Sequence, residues 1–359
     1  SPEAAELDKI QCEYDVIFVV AGTNKPKNVT EKMKIGAPAD SLNSIVVNAV
    51  TNAKKPTSYH RVGPVLSFFH KPDISYYGGD VGEFIRVCTP TGEGYVCGTS
   101  FAAPWITRKV AYLIYTMGFS REVAKALIID SAAGWDRQDD MSHSIGYGVV
   151  PIRIEDIVKS TNDEIKFIMT GVAKKYETYT YNIPVPISND KQPFFAKATL
   201  CYFPRCSRNQ GVDYTDTEMD IHFGRIKETE KGVQIIDINE NIQDEKGKVG
   251  VYEGPARNLY RKWDNIKHIS EKVEKRKIPR TKYGIGNWGL SIKTKERLAK
   301  KIDREMPFGL VITLKEMFGQ NRIEEFIKLC MARGWIVNRI DIDHRIDIYN
   351  KSEEEINFD

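Results

Sequence analysis

No stretch of this chain approaches the ~20 consecutive apolar residues that a membrane-spanning helix requires, so no such span is expected. An excess of one charge is also missing. There are 52 Lys and Arg against 49 Asp and Glu, a formal net of +3, which selects neither for nor against a polyanionic partner. Cysteine is scarce. The six cysteines, Cys12, Cys88, Cys97, Cys201, Cys206 and Cys330, are irregularly spaced and read as free thiols of a reducing compartment such as the cytoplasm. Cys201 and Cys206 in CYFPRCSRN are near enough to pair or to form half a metal site. No second Cys/His pair with zinc spacing accompanies them, so no metal is assigned. No cofactor is assigned either. Internal repeats and low-complexity tracts are absent. The opening SPEAAELDKIQCEYD has no charged segment followed by an apolar one, so no signal peptide is visible.

What is present is ordinary for a globular protein, and 359 residues exceed what one hydrophobic core usually holds, so two domains are expected. Residues 1–13 read as a helix. Val16–Val20 is a continuous apolar run that breaks at Ala21-Gly22-Thr23-Asn24, and Ser44–Val50 is a second such run. Both read as buried strands of a parallel α/β sheet with short helices between them. Ile106, Val110, Leu113, Ile114 and Met117 recur at helical spacing until Gly118. A further helix over SREVAKALIIDSAAGW has Ser120 as its N-cap. From about Ile165 the texture changes to alternating segments rich in Thr, Tyr, Phe and Val: EIKFIMTGV, YETYTYNIPV, FFAKATLCYF, TEMDIHFGRI and, later, FGLVITLKEMF and WIVNRIDIDHRIDIY. These read as antiparallel strands. Between them lies a polar stretch, about 226–305. Its basic run at 261–282 carries nine Lys/Arg and three Asp/Glu. Despite Trp263, this reads as a solvated helix face or loop, not a nucleic-acid surface. RIEEFIKLCMARGW reads as an amphipathic helix and KSEEEINFD as a frayed tail.

Ser100 stands out chemically. It follows Gly98 and Thr99 at the start of a helix, where backbone amides and the macrodipole favour developing negative charge. Gly98 leaves room for an incoming backbone, Ala102 and Ala103 keep the first turn slim, and Pro104 fits a first turn in which a missing N–H costs little. Gly-Thr-Ser alone is also a common turn and N-cap. The longer string GTSFAAP resembles the nucleophile motif of the subtilisin-like serine proteases, or subtilases, written G-T-S-x-A-x-P. Gly98, Thr99, Ser100, Ala102 and Pro104 all fit.

Further segments carry the same resemblance. VIFVVAGTN is similar to the family's strand ending in A-A-G-N, with Ala21 and Asn24 in place and Thr23 where glycine is usual. MKIGAPADSLNSIVVNAV resembles the following loop and strand through Pro38, Ile45, Val47, Ala49 and Val50. TSYHRVGP, KPDISYYGGD (with Tyr76-Tyr77 in place of the usual Ala-Pro) and SIGYGVVPIRIEDIVK resemble later family segments. The resemblance runs in order over residues 7–160. It implies Ser100 as the nucleophile, and Asn24 with the Ser100 N–H as donors to the oxyanion. Gly22, Thr23 and the 36–40 loop, with Gly36, Ala37 and Pro38, would line the primary specificity pocket. Without the family, Asn24 is a turn residue at a strand end. No Asp-rich loop with spaced oxygen ligands appears, so no calcium site is assigned.

In subtilases the triad runs Asp, His, Ser along the chain, with Asp and His ahead of the oxyanion asparagine. Here only 23 residues precede Asn24, and the family's H-G-T-x-V-A motif and its S-x-G substrate strand occur nowhere. His60, His70, His143, His222, His268 and His344 read as surface or packing residues. The expected fold is thus α/β: a partial subtilisin-like parallel-sheet domain (1–162) followed by an antiparallel β-sandwich domain (163–359) with a long insertion at about 226–305. The expected function is a serine endopeptidase acting on a polypeptide, inactive as this chain alone. A missing N-terminal segment or separate chain would supply Asp and His. The alternative is a pseudoprotease or scaffold whose β-sandwich mediates binding. An unrelated serine hydrolase is disfavoured, because no G-x-S-x-G elbow is present.

Overall fold

The computed structural model describes residues 1–135, 142–174, 178–230, 232–238, 252, 254, 255, 257, 261–273, 276–297 and 305–340. Helix α1 (Pro2–Glu13) starts on Ser1, whose Oγ accepts from the Ala4 N–H at 3.2 Å. Strands β1 (Val19–Ala21), β2 (Ile45–Val50) and β3 (Ile74–Tyr77) form a parallel sheet in the order β1-β2-β3. Every residue of β2 is buried. Ile45, Val47 and Ala49 point into one apolar cluster and Val46 into another with Leu42 and Phe69, which is why β2 reads as an apolar run, broken only by Asn48, whose Nδ2 donates to the Arg61 and Ser144 carbonyls. β1 is shorter and later than Val16–Val20, because the Gln11 side chain takes the Phe18 N–H at 2.9 Å before the ladder begins. It pairs only with β2 among the described residues, and its residues are half-buried. The expected helix between β1 and β2 is not found.

A hairpin that alternation did not reveal, β4 (Ile85–Thr89) and β5 (Gly92–Val96), precedes helix α2 (Thr99–Ala111). α2 continues as a π-helical turn over Tyr112–Thr116 and ends at Gly118, whose φ is +73°. Helix α3 (Arg121–Ala133) is capped by Ser120, whose Oγ accepts from the Val123 N–H at 3.3 Å. Two single-turn helices follow, α4 (Ser142–Ile145) and α5 (Glu155–Val158).

The rest is β-rich. Strands β6 (Glu164–Ala173), β7 (Thr178–Pro184), β8 (Lys191–Gln192), β9 (Phe194–Tyr202), β10 (Thr217–Thr229), β11 (Gly232–Asp237), β12 (Ile266–Ser270), β13 (Arg280–Thr281), β14 (Asn287–Glu296) and β15 (Met306–Glu316) precede helix α6 (Ile323–Ala332). They build two four-stranded antiparallel sheets, β11-β10-β14-β7 and β12-β9-β15-β6, and a small β13-β8 pair. The stretch expected as an insertion, 226–305, contains β11, β12 and β14, and β14 pairs on both sides. Its polarity misled because Lys267 is buried and its charge is met by Glu218 at 3.0 Å. The basic run is therefore partly a strand, not a solvated helix face. Residues 335–340 have no regular secondary structure, and the rest of the strand expected there lies outside the described residues.

β15 alternates between two neighbours. Leu310, Ile312 and Leu314 face the β-rich core, while Val311 joins the cluster around α2 and α3. Gly309 permits this: a Cβ there would lie 2.4 Å from the Val123 nitrogen at the start of α3. Asp8 of α1 ties the same regions from another side. It is buried, accepts from Ser41 Oγ (2.6 Å), Leu42 N (3.0 Å) and Asn43 N (2.8 Å), and takes a bond from Tyr214 Oη at 2.6 Å.

None of the six cysteines, all of them among the described residues, forms a disulfide. Burial pushes the Cys201 thiol far up and the Cys330 thiol up to about 11. At pH 8 a disulfide reagent should modify exposed Cys88 quickly, and Cys12, Cys201 and Cys330 only on unfolding. Early modification of these three would contradict this packing. Asp8→Ala should cost about 3 kcal/mol, because it strands several buried donors, and Tyr214→Phe about 1 kcal/mol. Chemical denaturation followed by tryptophan fluorescence measures both losses.

Candidate active site

The turn from β5 into α2 is set by backbone contacts. Gly98 caps α2 with φ +154°, and its N–H donates to the Gly78 carbonyl at 2.9 Å. The Tyr59 hydroxyl lies 2.9 Å from that carbonyl and 2.6 Å from the Gly79 carbonyl. Burial pushes the Tyr59 phenol well above its ordinary range, so it stays a donor. Ala102 and Ala103 are buried against the sheet, while Ser100 at the second position of α2 is exposed.

Asn24 meets this turn from the end of β1. Its Oδ1 accepts from the Thr99 N–H at 3.1 Å and the Thr99 hydroxyl at 2.9 Å. With Oδ1 committed, the amide end is fixed: Nδ2 lies 3.1 Å from where a Cβ on Gly98 would sit. The structure thus brings Asn24 and the Gly98-Thr99-Ser100 turn together across 75 residues. Among the described residues, neither the Ser100 N–H nor the Asn24 Nδ2 makes a hydrogen bond. Pro104 departs from the expectation of a first-turn position. The helix starts at Thr99, so Pro104 is its sixth residue and lies inside it. The N–H it lacks is the one that would bond the Ser100 carbonyl.

The residues expected to line the pocket also converge. Gly22 N donates to the Val47 carbonyl at 2.8 Å. Thr23 adopts φ +66°, the left-handed region that a glycine would occupy without strain. Its hydroxyl donates to the Gly22 carbonyl (2.6 Å) and accepts from the Gly36 N–H (3.2 Å). One side chain therefore joins segment 22–24 to the 36–40 loop, where Ala37-Pro38 is a cis peptide. Two residues not singled out from the sequence belong here. Thr99 orients Asn24; its signal was its place in the motif. Arg61 donates from Nε to the Asn24 carbonyl at 3.0 Å; nothing in the sequence marked it.

The described histidines serve elsewhere. His60 Nδ1 lies at the Thr57 carbonyl (2.5 Å), His70 packs tilted against His143 and edge-on to Tyr147, His222 meets Asp237 at 3.0 Å and His268 meets the Thr199 hydroxyl at 2.8 Å. Burial, and then the charges of Lys34 and Arg261, hold His143 below its ordinary pKa. Among these residues no histidine hydrogen-bonds Ser100. His344 lies outside the described residues. Among the described residues no three His, Cys, Asp or Glu are grouped to hold a metal ion.

Residues 2–148 match the model of the subtilase family, so this chain carries a subtilase-like segment. A comparison with curated proteins gives no significant match. Among solved structures, two similar ones are crystal structures of the epidermin leader peptide processing serine protease (EpiP) of Staphylococcus aureus. A point-mutant form is 16% identical with a TM-score of 0.36, covering 44% of this chain and 43% of that one. The other form is also 16% identical, with a TM-score of 0.29, covering 34% and 32%. The chain thus spans less than half the length of these relatives.

Gly98→Ala should destabilise the protein by about 1–3 kcal/mol through its backbone conformation and the displaced Asn24. Gly118 also has positive φ (+73°), but nothing lies within 4 Å of a Cβ there. Gly118→Ala should therefore lower the melting temperature less. Equal melting temperatures for the two variants would contradict the Asn24 contact.

Proposed function

We propose that this chain supplies the nucleophile and oxyanion-binding half of a subtilisin-type serine endopeptidase. The observation that carries the reading is the lock between Asn24 and Thr99, which aims an amide beside an exposed serine at a helix N-terminus. Ser100 Oγ attacks the scissile carbonyl and its proton passes to a histidine base. The negative charge on the carbonyl oxygen is met by Asn24 Nδ2 and the Ser100 N–H, with α2's dipole behind them. Collapse of the tetrahedral intermediate breaks the peptide bond and hands that proton to the leaving amine. Water then attacks the acyl-serine and restores Ser100. Gly22, Thr23, Gly36, Ala37 and Pro38 line the pocket for the residue preceding the scissile bond.

In this reading Asp and His come from polypeptide outside these 359 residues, as an upstream segment or a separate chain. The outer edge of β1, unpaired among the described residues, is where strands carrying them would add. Residues 1–162 are the protease portion. The two four-stranded sheets of 163–359 are the layers of a β-sandwich that docks against α3 and supports it. The basic run is not read as a nucleic-acid surface, since Lys267 pairs with Glu218, and Arg276 and Arg280 with Glu271. The second reading, a pseudoprotease or scaffold, draws on the lack of a histidine bonded to Ser100 among the described residues.

A fluorophosphonate separates the two readings. In the assembly containing the Asp- and His-bearing polypeptide it should label Ser100, and Ser100→Ala should abolish labelling. Asn24→Ala should lower peptide hydrolysis by about 10²–10³-fold. A complete assembly that leaves Ser100 unlabelled would favour the scaffold.

A further inference from the structure

Arg61 lies between the two walls of the pocket proposed above. Its neighbour Tyr59 accepts from the Lys25 N–H at 2.7 Å, tying this segment to the 22–25 wall. Val62 exchanges backbone bonds with the other wall, donating to Met33 at 2.9 Å and accepting from Ile35 at 3.1 Å. The Arg61 carbonyl is held by Asn48 Nδ2 at 2.8 Å. From this fixed base the side chain reaches back to the walls. Nε donates to the Asn24 carbonyl (3.0 Å) and Nη1 approaches the Lys34 carbonyl at 3.4 Å. Nη1 also lies 3.0 Å from where a Cβ on Gly36 would sit. The guanidinium is therefore within contact of Asn24, Lys34 and Gly36 together.

Its charge is not neutralised. Among the described residues no carboxylate pairs with Arg61, Lys25 or Lys34. The segment 24–36 adds Lys27 and Lys32 and has a single acid, Glu31. A guanidinium carries five N–H donors in a planar fork that matches a carboxylate. Two of these are directed at backbone carbonyls, one of them at long range. Such a residue, held on the Asn24 and Lys34 carbonyls with lysines nearby in sequence and no carboxylate paired with it among the described residues, favours an anion beside it.

We infer that Arg61 is the specificity-determining residue of this site, and that the substrate residue preceding the scissile bond is acidic. The inference rests on the protease reading and deepens it. A glutamate side chain lies along the Thr23–Gly36 bridge, and its carboxylate accepts from the unused Arg61 donors. Lys25 and Lys34 add positive charge, but their ammonium groups donate elsewhere, to the Thr30 carbonyl at 3.5 Å and the Gly63 carbonyl at 2.7 Å.

The test uses the complete assembly, with Ser100 labelling by a fluorophosphonate measured first. Paired peptides then differ only in Glu or Gln before the scissile bond. Wild-type kcat/KM should favour Glu by about tenfold to a hundredfold, the range for a hydrogen bond to a charged group. That ratio should fall with added salt, and again as pH drops through the substrate carboxylate's ordinary pKa of about 4.3. Arg61→Gln should bring the ratio to about one, and Arg61→Glu should shift preference to Lys. If either variant fails to fold, the wild-type ratio and its salt dependence decide. A labelled Ser100 with a Glu:Gln ratio near one overturns this inference and leaves the protease reading standing. An unlabelled Ser100 overturns both.

Discussion

Helix α3 is buried on nearly every side, and that constraint shapes the molecule. One flank packs in the cluster with α2 and the parallel sheet, and another lies against β9 and β15 of the β-rich part. A helix so placed has no solvent face for its charged residues, so each needs an internal partner. The Arg121 guanidinium points at the carbonyls of Gln11, Tyr14 and Val16 and lies 4.3 Å from the Phe203 ring centroid. Lys125 donates to the Asn43 carbonyl at 2.9 Å, and burial holds its pKa below the ordinary lysine range. Asp130 meets Lys197 at 3.0 Å and accepts from the Thr199 hydroxyl at 3.0 Å. These bonds reach α1, the segment before β2, and β9. The parallel sheet and the β-rich part are thus joined by satisfied buried charges as well as by apolar contact.

The same arrangement explains what could be read from the sequence. β2 was legible because burial on both faces demands apolar residues almost throughout, with Asn48 the one polar exception. The strands from 164 to 202 were legible because one face of each meets a core. α3 was placed by its Ser120 cap, but its lysines and acids gave no hint that it is an interior helix. The stretch 226–305 was misread for the same reason. Lys267 and Glu218 are an internal pair, and in sequence an internal pair resembles two surface charges. The β4–β5 hairpin was missed because its alternation is only between half-buried and exposed residues, and none of them reaches a core cluster.

The site was legible to a different degree. Ser100 and Asn24 are marked by residue types that subtilase chemistry requires, and the fold brings them together. What holds them was less legible, because much of it is main chain, the carbonyls of Gly78 and Gly79 and the amide of Thr99, met by the hydroxyls of Tyr59 and Thr99. Arg61 illustrates the limit. Its side chain acts through the geometry of three segments that only the folded chain assembles.

Thr23 has a consequence for the pocket proposed above. Its hydroxyl bridges the Gly22 carbonyl and the Gly36 N–H, so the distance between the two walls is set by a single short side chain. A glycine there would relax the backbone but unlatch the walls, leaving the aperture to thermal motion. In the pocket proposed above, the strained threonine would be a spacer of fixed length, making that pocket a gauge of constant width and not a jaw that adjusts to what it holds.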